Sequence, residues 1–442
     1  MAKGKVKSLL LLVYAAVCLV FWLFFRPILI GLSIWPAAAR LPMDGQTNPY
    51  LLQLISVLYL LITNIPFLLA IFIPAVLFGF WLLRFFIDKQ ENGSASVGFG
   101  KGKRAQIFLL SLGLGLLSLS LITLLLGLAH LLYRIIFVVL LILISIPGMI
   151  HLVRIYRSKT KTPPPSDTEQ SGIHPLLYLL IPMAALALLA ALVPAGILWD
   201  HDGRGYDVLE YHLQLPREYV AQHAIIPLDH NAYSNFPANT EMLYLVALLL
   251  KGNAIDGMYL AQLLNLTLAV LFIAALYIFL RDIHPAGAAL AAVAAAGLQF
   301  FYVAANAYVE SYMLLLFLLP MAAAKALPVR FPLKQEHLLA GIFTGGACGC
   351  KFTAVIQILP VVALFILVLH TCRFRRLFLF LVAVLVTLSP WLLRNIAYRG
   401  NPVFPIAARQ LGQDHWSDEQ VQRWQAAHRV KPDQTSPDQV SP

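Results

Sequence analysis

The chain has 442 residues, 60% of them hydrophobic and 12% charged, and a mean hydropathy of +0.77. Soluble domains carry about 45–50% apolar and about 25% charged residues, so this composition excludes a soluble globular fold. The formal charge of +11 does not point to nucleic acid: the basic residues sit in short loops between apolar runs, and no Lys/Arg stripe interleaves with stacking aromatics.

A basic start, Met1 to Lys7, leads into an apolar run that continues to Phe25 without a prompt small-residue cleavage site. This predicts a retained first span over Leu9–Phe25 rather than a removed signal peptide. A loop rich in Pro and Gly follows to Pro49. The apolar block Leu51–Phe86 contains Asn64, Pro66 and Pro74, which predicts a short interfacial helix and then one span over Pro66–Phe86. A polar loop, Asp88–Arg104, precedes a hairpin of spans over Ile107–Leu128 and Tyr133–Leu152. The basic, proline-rich run that ends in Pro163–Pro165 is the clearest composition break. It divides the chain into an N-terminal module of about four spans (1–162), a linker (163–174), a second module (175–416) and a polar tail (417–442) whose end, Asp433–Pro442, reads as disordered.

The second module opens with a span over Pro175–Leu198 and then a polar loop, 199–240. Later spans are predicted over Gly257–Leu280, Pro285–Ala304, Tyr308–Lys325, Leu338–Gly349, Phe352–His370 and Leu377–Leu393. Lys351 interrupts an apolar run, which predicts two short helices meeting there. The fold class is therefore an all-α polytopic transmembrane bundle of about eleven spans. With the N-terminus inside, every strong basic cluster falls on one side, as inner loops require, and loop 199–240, Glu310, Lys351 and Arg394 fall on the outer side.

In Tyr206-Asp-Val-Leu-Glu-Tyr-His212, residues Asp207, Glu210 and Tyr211 have helical spacing and share a face if the segment is a helix. Such a face can supply a general base or bind a divalent cation; helix-capping aspartates in a solvated loop fit the spacing equally. Glu310 at the end of a span is either functional or the partner of a nearby cation. Lys351 and Arg394 either meet a lipid phosphate or snorkel to headgroups. The four cysteines, Cys18, Cys348, Cys350 and Cys372, lie in or beside apolar runs and imply no disulfide framework. The sequence carries no Walker loop, dinucleotide fingerprint or HExxH motif, so energy must come from an ion gradient or an already activated substrate.

These stretches, with Tyr233-Ser-Asn-Phe-Pro, Glu241-Met-Leu-Tyr, Ala307-Tyr-Val-Glu310, the Gly-rich approach to Lys351, Ser389-Pro-Trp-Leu-Leu-Arg-Asn395 and Gly400-Asn-Pro-Val-Phe-Pro405, resemble the GT-C superfamily of polytopic glycosyltransferases. The similarity lies nearest the protein mannosyltransferase and aminoarabinose transferase families (glycosyltransferase family 39-like) and runs from about Pro175 to Trp416. The resemblance implies a GT-C-like bundle in the bacterial inner membrane, with its N-terminus cytoplasmic and its catalytic loop periplasmic. It implies transfer of a sugar from a polyprenyl-phosphate donor to an envelope glycan, lipid or protein acceptor, with inversion at the anomeric carbon. Asp207 and Glu310 match the catalytic acids, Lys351 and Arg394 the basic phosphate clamp. Glu210 and His212, in the motif of Asp207, join them as substrate-binding residues. A divalent cation such as Mg2+ or Mn2+, held by Asp207 and Glu310, is the one candidate cofactor. Two departures stand out: the spans before Pro175 are additional, and the chain stops soon after Pro405, so that either a membrane partner protein completes the acceptor site or the protein is degenerate. The rival classes are a transporter or flippase for a lipid-linked or anionic substrate, which should show inverted repeats, and a non-catalytic envelope-glycan assembly partner.

Overall fold

A computed structural model of the protein describes residues 49–87, 101–158, 173–196, 205–324 and 335–428. The expected first span, the loops 26–48 and 88–100, the proline-rich linker, the start of loop 199–240, the basic segment 325–334 and the chain's last residues lie outside the described residues.

The regular elements among the described residues are all helical. In chain order they are α1 (Pro49–Leu83), α2 (Lys101–Leu128), α3 (Arg134–Ser158), α4 (Leu180–Ala191), α5 (Gln214–Gln222), α6 (Asn239–Lys251), α7 (Ala254–Leu280) and α8 (Pro285–Ala295). They continue with α9 (Leu298–Ala305), α10 (Glu310–Ala323), α11 (Glu336–Cys348), α12 (Thr353–Gln357), α13 (Leu359–Leu369), α14 (Arg373–Arg399), α15 (Ala408–Leu411) and α16 (Asp418–Ala427). Among the described residues five stretches are long and apolar enough to cross a membrane: Leu54–Leu83, Arg104–Leu128, Arg134–Arg157, Ala254–Leu280 and Arg373–Arg399.

Several boundaries differ from those expected. The block around Pro66 and Pro74 is one helix of 35 residues, not an interfacial helix followed by a span. Proline at 66 removes the donor for the Ile62 carbonyl, and neighbouring polar groups support the backbone there. The Lys251 ammonium donates to the Thr63 carbonyl at 3.1 Å, and the Asn64 amide donates to the Leu60 carbonyl at 2.7 Å. Conversely, four predicted spans are shorter apolar helical segments: Pro175–Ala191, Pro285–Ala295, Glu310–Ala323 and Thr353–Leu369. The 285–304 run is broken between α8 and α9 at Gly297. The expected meeting of two short helices at Lys351 is present: α11 ends at Cys348 and α12 starts at Thr353.

The chain divides into two compact units, one of residues 1–226 and 237–388, the other of 227–236 and 389–442. In the first, α1, α2 and α3 pack through small residues, so that backbones touch where apolar side chains would hold helices apart. A Cβ on Gly115 would lie 1.7 Å from the Ala75 carbonyl oxygen, and one on Gly148 would lie 2.1 Å from that of Leu77. Helix α2 packs on α6 and α7, and α10 packs on α7 and α11. Inside this bundle α7 carries two buried amides. Gln262 donates to the carbonyls of Ala191 and Val193, at 2.7 and 2.8 Å, at the end of α4. Asn265 donates to the carbonyls of Val303 and Asn306, at 2.8 and 2.5 Å, at the end of α9. Ala191 and Val303 lie in the last turns of their helices, where carbonyls lack an intrahelical donor; the Asn306 carbonyl also accepts from the Tyr308 N–H at 2.9 Å.

The second unit is built on Arg399, whose side chain is 4% exposed. It donates to Asp229 at 2.7 Å, Asp414 at 2.8 Å and Asn235 at 3.0 Å. The rings of Tyr233, Phe236, Trp416 and Trp424 pack together in the same unit.

Candidate functional site

One set of polar residues of the first unit gathers at breaks between helices. The first is the segment before α5. The Gly205 N–H donates to the Tyr308 hydroxyl at 2.9 Å, and Val208–His212 then form a π-helical turn closed by the Leu213 N–H on the Val208 carbonyl at 2.9 Å. Single π turns insert a residue and redirect the side chains beside it, and they recur at functional sites. Here the Tyr211 hydroxyl donates to Asp207 Oδ2 at 3.0 Å, which joins the two residues that the sequence put on one face. Burial, followed by the Asp207 carboxylate, holds the Tyr211 phenol well above its ordinary range, so it remains a donor. His212 is turned inward, 1% exposed, with Nδ1 2.7 Å from Glu241 Oε1. Glu210 sits on the same turn, partly exposed.

Glu241 lies in the first turn of α6. That turn is stitched to the end of α11 by Asn239, whose N–H donates to the Gly349 carbonyl at 2.8 Å and whose amide donates to the Gly346 carbonyl at 2.9 Å. Two residues beyond Gly349, in the break before α12, the Lys351 ammonium donates to Glu310 Oε1 at 2.8 Å. Glu310 is the first residue of α10. Tyr308, just before it, accepts at its carbonyl from the buried Tyr244 hydroxyl. Asp207 and Glu241 also lie within electrostatic range of Lys351, and His212 within range of Glu310.

The structure therefore brings together Asp207, His212, Glu310 and Lys351. It gives Lys351 and Glu310 to each other, the ion-pair alternative left open for Glu310 by sequence. Arg394 belongs to the second unit, where it is 5% exposed, lies over the Trp391 ring and donates to Asn395 Oδ1 at 2.7 Å and to the Phe236 carbonyl at 3.2 Å. Glu241 and Tyr308 were missed as site residues. An acid in the first turn of an apolar helix was the available signal for Glu241. Among the described residues no group of three or more His, Cys, Asp or Glu side chains has the arrangement of a metal site. Glu310 Oε1 is engaged by Lys351.

A separate apolar groove of about 370 Å³ runs along α7, lined by Leu177, Ala187, Leu266, Val270 and Tyr277 among others, with Arg281 at one end. It also reaches Ala304, near the Asn306–Glu310 segment.

Over the described residues the fold is thus all-helical, with several helices able to cross a membrane and an acid-rich polar cluster at the ends of apolar helices. Over residues 257–431 the chain is similar to a family described as Domain of unknown function (DUF8201). That stretch contains Glu310, Lys351 and Arg394 but not Asp207, His212 or Glu241. No curated protein and no solved structure matches the chain.

Proposed function

We propose that the protein is a polytopic, GT-C-like membrane enzyme of about eleven spans that transfers a sugar from a polyprenyl-phosphate donor to an envelope acceptor on the outer face of the inner membrane. The observation that carries the reading is the convergence of Asp207, Glu241 and Glu310 with His212 and Lys351 in one cluster assembled from distant segments. Buried or half-buried charges on apolar helices are costly, and their gathering at one place is the pattern of a working site. The apolar groove along α7 has the character a lipid chain needs.

In the proposed reaction Asp207 accepts the proton of an acceptor hydroxyl. The freed oxygen attacks the anomeric carbon as its bond to the lipid phosphate breaks, which inverts that carbon. The phosphate leaves with both bonding electrons. Lys351 meets it by sharing or releasing Glu310; Arg394, in the second unit, is proposed separately as a phosphate-binding cation. The donor supplies its own activation, which fits a sequence without a nucleotide loop. Tyr211 holds the Asp207 carboxylate in place.

Mass spectrometry of envelope glycans and polyprenyl-phosphate sugars, with and without the gene, tests the proposal. Loss of one glycan with accumulation of its lipid-linked sugar on the outer leaflet is expected. Accumulation on the inner leaflet alone would identify a flippase instead, and unchanged pools of both would refute the reading.

A further inference from the structure

The His212–Glu241 pair has a property that its internal hydrogen bond does not use. Both side chains are nine-tenths or more buried, 1% and 4% exposed, and are joined through Nδ1 and Oε1. Their other polar atoms, His212 Nε2 and Glu241 Oε2, are buried with no hydrogen-bond partner. Leaving such atoms unmet is costly, so a donor from outside the chain is called for. The carboxylate fixes the kind of donor. It accepts from Nδ1–H, which leaves Nε2 as a bare acceptor in the neutral ring, and Oε2 can only accept. Asp207, Glu241 and Glu310 all act electrostatically on Lys351 in this cluster, which disfavours an anion beside the pair, and Tyr211 and Tyr308 supply the neighbouring rings. A neutral O–H group meets all of these conditions.

We infer that His212, oriented by Glu241, is a hydroxyl-binding residue that takes one O–H of the substrate's sugar ring on Nε2. This rests on the lipid-linked sugar reading above and deepens it: the sugar occupies the acid-rich side of the cluster, and the phosphate lies toward Lys351. His212 here binds and orients; no proton leaves the substrate at this atom. The π turn is what makes this orientation available, because it presents Tyr211 to Asp207 and His212 to Glu241 from consecutive residues.

Two measurements on the full chain in nanodiscs test the inference. Nitrogen-15 NMR of labelled histidine, assigned by difference with His212→Gln, should show His212 as the Nδ1–H tautomer in the neutral form; an Nε2–H tautomer overturns it. The second measurement compares binding of undecaprenyl phosphate with that of undecaprenyl-phosphate glucose. The wild type should prefer the glycosylated lipid. His212→Asn, whose amide can replace Nδ1 but not Nε2, should lose about tenfold or more of that preference without weakening binding of the bare carrier. His212→Gln, whose amide oxygen can reach the place of Nε2, should restore part of it. A preference untouched in His212→Asn means that the pair holds only a buried water, and overturns the subsite alone. Binding of the bare carrier without preference in the wild type also overturns the subsite but leaves the lipid-donor reading standing. Failure to bind either lipid overturns both.

Discussion

The contact of Asn239 with Gly346 and Gly349, which holds the start of α6 against the end of α11, can be tested at a single atom, Gly349→Ala. The glycine has an ordinary right-handed conformation, φ −75°, so alanine brings no backbone strain. Its methyl group would nevertheless lie 2.2 Å from Asn239 Nδ2 and 2.9 Å from its Cγ, where ordinary contact begins at 3.4 Å. Asn239 is fully buried and cannot swing into solvent. Relieving the clash means moving it by about an ångström and losing the hydrogen bond to Gly346, worth about 0.5–1.5 kcal/mol and more when the donor is left buried. Overpacking adds about 1–3 kcal/mol. The expected loss is therefore about 2–4 kcal/mol, read as a lower transition midpoint in mixed-micelle denaturation followed by tryptophan fluorescence. Asn239→Ala removes the obstructing amide, so the double variant should be destabilised by less than the sum of the two single ones. Additive losses, or an unchanged midpoint for Gly349→Ala, would refute the stitching of α6 to α11.

Asp207→Asn should leave a folded protein whose sugar transfer falls by about 10²-fold or more, while Glu210→Gln falls by less, measured per folded molecule with lipid-linked donor supplied. Lys351→Ala and Arg394→Ala should each weaken binding of undecaprenyl phosphate by about tenfold or more, as for a lost charge-assisted hydrogen bond, in a nanodisc binding assay. The second unit should lose stability in acid. The hydrogen bond from Arg399 holds the Asp229 carboxyl below its ordinary range; Asp414 is also held low, because hydrogen bonds from His415 and Arg399 outweigh its burial. Depressed carboxyl values give a contribution that is complete above the unfolded value, near pH 4, and is lost as pH falls through the folded ones. Emission from Trp416 and Trp424 should report the transition, and Arg399→Gln should flatten it.

The apolar helices were legible in the sequence because composition and run length depend on local residues alone. The break at Lys351 was legible for the same reason: a cation inside an apolar run marks its own interruption. So was the Asp207–Tyr211 pair, since residues four apart meet on either an α or a π turn. The continuity of α1 through Pro66 was not, because the backbone support there involves Lys251, a residue from another helix. Nor was the His212–Glu241 pair, whose members are 29 residues apart and are matched only once α6 is anchored by Asn239. The partner of Glu310, 41 residues away, was open for the same reason.

The two amides of α7 have a consequence for how this chain can change. A helix that stops among apolar neighbours exposes carbonyls that only water or a turn could otherwise meet, and Gln262 and Asn265 meet them from within. The ends of α4 and α9 are thereby freed from the need to reach an aqueous layer, so their lengths need not match a bilayer's thickness. Substitution of either amide by leucine would raise local hydropathy and yet make the bundle less at home in lipid, because the helix end it serves would then carry a bare acceptor. A search for stabilised variants guided by hydropathy alone would select against this chain at those two sites.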